Sequence, residues 1–64
     1  MSLTEYLLDL RQAIDESIAK VEALLDGPTT TAQDARWLHN ERNSLRAARG
    51  NVDTHLQQLE RGKE

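Results

Sequence analysis

The sequence predicts an all-α fold, an antiparallel two-helix hairpin, on three observations. Apolar residues recur at spacings of three and four over residues 3–25, Gly27-Pro28 interrupts the pattern, and Leu38, Leu45, Val52 and Leu59 then form a second spine spaced by seven. With 64 residues and no cysteine, the chain is one small domain that cannot be stapled by disulfides.

Helix 1 is expected over about residues 3–25. Ser2 and Glu5 fit the S-x-x-E capping box, and Met1 and Tyr6 occupy the positions of a hydrophobic staple. Leu3, Leu7, Leu10, Ile14, Val21 and Leu24 make the seam, with Ser17 its polar member, and Tyr6, Ala13, Ile18 and Leu25 widen it. Asp26-Gly27-Pro28 should end it, with Gly27 in the left-handed position that closes many helices.

Helix 2 is expected over about residues 32–61 after a turn at 26–31. Thr29, Thr30 and Thr31 are consecutive candidate N-caps. Thr30 with Gln33 matches T-x-x-Q, and Thr31 is followed by Asp34 in the first turn. Ala48 and Leu56 assist the spine. Gly50-Asn51 is the weak point, because an interior glycine costs about 0.5–1 kcal/mol relative to Ala and Asn51 could cap a new helix. Three short helices with a break there are the alternative.

If residues 25 and 32 sit level across the turn, Val52 faces Glu5, and Leu56 and Leu59 project beyond helix 1. Burying a leucine is worth about 1.5–3 kcal/mol, so such an overhang points to a second chain. A homodimer forming a four-helix bundle is the expected assembly, with Leu38, Leu45, Ala48, Val52, Leu56 and Leu59 at its interface and a larger helical oligomer as alternative.

Eleven acidic against eight basic side chains give a net charge of -3. This disfavours a general polyanion binder, whose usual footprint is basic. No apolar run approaches the ~20 residues needed to cross a bilayer, and the first residues carry no signal-like segment; no membrane partner and a cytoplasmic location are expected.

The catalytic inventory is thin. There is no Cys, no phosphate-binding glycine loop and no nucleophile elbow. His39 and His55 lie about 160° apart around one helix and cannot share a metal within one chain. A hairpin also offers no dry cleft for a carboxylate pair. No enzyme activity, cofactor or metal is expected.

Charge sign divides along the chain. Residues 1–28 carry six acids against Arg11 and Lys20, a net of -4, while residues 29–64 are net +1. Arg42, Arg46 and Arg49 line one side of helix 2 at i, i+4 and i+7 and need compensation. Either Asp15 faces Arg42 and Asp9 lies near Arg49, with Asp53 helping at i+4, or the stripe meets an acidic partner or a phosphate.

A second stripe, Trp37, Glu41, Ser44, Ala48 and His55, runs along the other flank of the spine. Trp37 either packs on Leu24 and Leu25 to cap the hairpin or serves as an intermolecular anchor. The expected partner-binding set is Trp37, Glu41, Arg42, Arg46 and Arg49.

These features favour a small non-enzymatic interaction module, an adaptor or inhibitor that docks a helical face on a larger bacterial protein, of the kind phages also encode. Nucleic acid is possible but not favoured. The expected hairpin dimer resembles, in size and architecture only, the small plasmid-copy-number regulators that bind paired RNA loops, a resemblance that implies phosphate contacts from Arg36, His39, Arg42, Asn43, Arg46 and Arg49. An oligomer holding a small anion between subunits is the third reading.

Overall fold

The computed structural model describes residues 2–28 and 30–62 and contains two helices, α1 (Leu3–Leu25) and α2 (Ala32–Gly62), packed as a hairpin. Helix 1 starts where the capping residues place it. Ser2 is extended, at φ -90° and ψ 161°, and its hydroxyl accepts the Glu5 N–H at 3.1 Å. The expected Met1–Tyr6 staple involves Met1, which lies outside the described residues, as does the candidate cap Thr29.

The end of α1 differs from expectation. No described glycine has a positive φ, so Gly27 does not adopt the left-handed position. Asp26 instead stays right-handed and donates to the Glu22 carbonyl at 3.1 Å, and Gly27 donates to the Leu24 carbonyl at 3.1 Å, tightening the last turn. A Cβ at position 27 would stand 3.2 Å from that same Leu24 oxygen. A side chain here would crowd the end of α1 unless that carbonyl shifted by a few tenths of an ångström.

Thr30 and Thr31 divide the work of the turn. The Thr30 hydroxyl donates back to the Leu24 carbonyl, so it is directed to the end of α1 and not to α2. Thr31 caps α2, accepting from Asp34 N–H at 3.1 Å on its hydroxyl and from Ala35 N–H at 2.8 Å on its carbonyl.

Helix α2 runs unbroken through Gly50-Asn51 for 31 residues, and the three-helix alternative is not formed. Both residues are exposed, and the apolar spine keeps its phase across them. The helix therefore loses no buried contact at that point.

Leu7, Ile14, Val52 and Leu56 form the buried cluster, with Leu10, Ile18, Leu45, Ala48 and Leu59 packed against it. Val21 and Leu38 are buried nearer the turn. This corrects the expected overhang: Leu56 is 7% exposed and packs with Leu7, and Leu59 lies half-buried against the same cluster. The spine assigned to a dimer seam is largely occupied within one chain.

The correction is one of register. Arg11 pairs with Asp53 and Asp15 with Arg49, while Leu25 and His39 line one surface depression. The partner level of Leu25 is thus near His39, two helical turns or about 10 Å from Ala32. A slide of seven residues leaves a heptad spine in phase, so the apolar pattern fits either way. The observed register also covers Leu56 and brings opposite charges together.

The body measures 49 × 18 × 14 Å. No described side chain falls below 2% exposure. The hairpin has a seam and no deeper interior.

Candidate functional site

Helical phase sorts the expected site residues onto two faces. Trp37 and Arg46 are nine residues apart, about 180° around α2, so they flank the seam on opposite sides. Arg42, Arg46 and Arg49 gather on one face with the acids of α1, while Trp37 and Glu41 lie on the other. The five residues do not form one patch.

On the charged face, Arg11, Asp53, Arg49 and Asp15 form a continuous chain. Arg11 donates to Asp53 at 3.3 Å, Arg49 donates to the other Asp53 oxygen at 3.3 Å, and Arg49 Nε also pairs with Asp15. The hydrogen bond to Asp15, then its charge and that of Asp53, hold the Arg49 guanidinium above its ordinary range. Arg46 reaches Glu22 at 3.4 Å. Compensation comes from α1, as the charge division suggested, but one heptad away from the expected partners. Asp15 serves Arg49 and not Arg42.

Arg42 is different. Its terminal nitrogen contacts His39 Nδ1 at 3.2 Å, and its Nε is buried without a hydrogen-bond partner. Both side chains line an open depression of about 510 Å³ with Glu22, Leu25, Asp26 and Ala35. Two acids and two nitrogen bases at the rim give no single-sign field to an ion. A smaller hollow of about 190 Å³, between Thr4, Leu8, Arg11, Leu56, Leu59 and Glu60, marks the other end of this face.

The opposite face is apolar at its ends and small in the middle. Trp37 is 63% exposed, Leu24 55% and Tyr6 52%. With Trp37 and Leu24 both more than half exposed, neither is enclosed at the turn as a packed cap on Leu24 and Leu25 would require. Ala13 and Ser17 on α1, with Ser44 and Ala48 on α2, leave a shallow floor between these large side chains. The sequence reading assigned Tyr6 to the staple and Leu24 to the seam. Their separation of 18 residues is five whole helical turns, and that spacing was the available signal that they share a face.

Among the described residues, no three metal-ligating side chains converge and no helix is long and apolar enough to cross a membrane. Comparison with protein-family models finds no match, and no curated protein or solved structure matches the chain significantly.

Proposed function

We propose that this chain is a non-enzymatic docking module that acts by laying the Trp37 face against the helices of another protein chain. The observation that carries the reading is the 63% exposure of Trp37 beside a floor of small residues, with Leu24 and Tyr6 also exposed on that face. A large aromatic held in water by a rigid helix is an anchor in need of a pocket, and small neighbours let a partner helix approach. The functional class that this suits is an adaptor or inhibitor of a larger bacterial protein, of the size that phages also encode, working in the cytoplasm.

The arginine stripe supports the nucleic-acid reading less well. Arg46 and Arg49 are matched by Glu22, Asp15 and Asp53, so a phosphate would have to displace carboxylates at each. The same pairing weighs against a small anion held by these side chains.

The test is capture by the tagged chain from a bacterial lysate, comparing Trp37→Ala with Arg46→Glu. Loss of the captured protein with Trp37→Ala, and its retention with Arg46→Glu at unchanged helicity, is the expected pattern. The reverse pattern would transfer the binding surface to the charged face.

A further inference from the structure

The Trp37 face has a property beyond being apolar: its residues are arranged symmetrically about one level of the hairpin. On α1, Tyr6 and Leu24 are equidistant from residue 15, and so are Ala13 and Ser17. On α2, Glu41 and His55 are equidistant from Ala48, as are Trp37 and Leu59. These two centres lie at nearly the same level along the hairpin, because Asp15 is bonded to Arg49, the neighbour of Ala48.

We infer that this face binds a second copy of the same chain, across a two-fold axis perpendicular to the helices at the level of Ala48. The inference rests on the reading of this face as a docking surface and commits its occupant. A two-fold contact must be self-complementary, each residue meeting the mirror position of the other copy. With that axis α1 lies antiparallel on α1 and α2 on α2. Tyr6 of one copy meets Leu24 of the other, so these two exposed side chains find apolar partners, while Trp37 lies over the end of the partner's α2 at the level of Leu59, whose own side chain is half-buried in the seam. Ala13 meets Ser17 and Ala48 meets Ala48, which allows the close helix approach that central small residues permit.

Polarity agrees with shape. Glu41 of each copy faces His55 of the other, a carboxylate opposite a ring that can donate an N–H to it, twice. The central arginines Arg46 and Arg49 are directed to the outside of the resulting four-helix body, where they keep their pairs with α1. Size agrees as well: a face about 35 Å long and 18 Å broad offers roughly 600 Å² per copy. The total of about 1,200 Å² is the lower bound for a stable specific interface.

The absence of cysteine among the 64 residues makes the axis testable in this chain. Ala48→Cys places two thiols across the axis within disulfide reach, whereas Ala47→Cys places them on the outer side of α2. The native chain alone is expected to sediment as two copies, Ala48→Cys to become covalently dimeric under mild oxidation, and Ala47→Cys to stay largely unlinked. A monomeric native chain overturns the inference, as does a two-copy mass with equal linking at both positions or with none at 48. If Ala48→Cys fails to fold, charge exchange decides the arrangement. Glu41→Arg should weaken the dimer several-fold, and Glu41→Arg with His55→Glu should restore it; a double variant no tighter than the single overturns the pairing. A monomer that still captures a lysate protein through Trp37 would leave the docking reading standing with another occupant, while a cross-linked dimer whose capture ignores Trp37→Ala would leave the second copy on this face and remove the larger partner from it.

Discussion

Arg11 and Asp53 are joined across the hairpin at 3.3 Å, although 42 residues separate them in sequence. The contact lies at a level where the apolar seam by itself is ambiguous. A double-mutant cycle with Arg11→Ala and Asp53→Ala should give a coupling of about 0.2–1 kcal/mol in urea unfolding, as partly exposed pairs do. Zero coupling would assign the register to the apolar contacts alone.

Leu56→Ala should destabilise the chain by about 2–5 kcal/mol, the range for a buried leucine truncated in a core. Leu8→Ala, at a side chain 42% exposed, should change stability by no more than about 0.5 kcal/mol. Thermal unfolding followed by circular dichroism compares the two. Equal effects would contradict the burial of Leu56 against Leu7.

Gly50→Ala should stabilise by about 0.5–1 kcal/mol. The site is helical, and a Cβ there would meet nothing within 4 Å. Chemical denaturation provides the measurement, and a loss of stability would show that α2 needs the flexibility of glycine at that point.

Thr31→Ala should cost about 1 kcal/mol by removing the acceptor for the Asp34 N–H. Thr31→Ser, which keeps the hydroxyl, should cost much less. If both variants lose the same stability, the methyl group and not the cap is responsible.

The helix limits were legible because caps and breakers act locally. Ser2, Thr31 and the Gly27-Pro28 pair each announce a boundary within a few residues of chain, and α1 falls on the expected range with α2 one residue longer. The register was not legible. A spine of Leu38, Leu45, Val52 and Leu59 looks the same after a slide of seven, and only long-range partners such as Asp53 with Arg11 distinguish the two positions. The expected partner site was half legible for a related reason. Its residues were grouped by chemistry, whereas helical phase divides Trp37 and Glu41 from the three arginines.

A folded chain in which every side chain retains some contact with water has few places to shelter an amide from exchange. The described side chains form a single layer over each helix, so in one copy by itself local opening needs little surface to be uncovered, and deuterium uptake should be rapid along both helices. A second pair of helices laid over residues 13–17 and 44–48 would supply the missing layer. Slow-exchanging amides confined to those stretches would be the record of a partner, legible without knowing what the partner is.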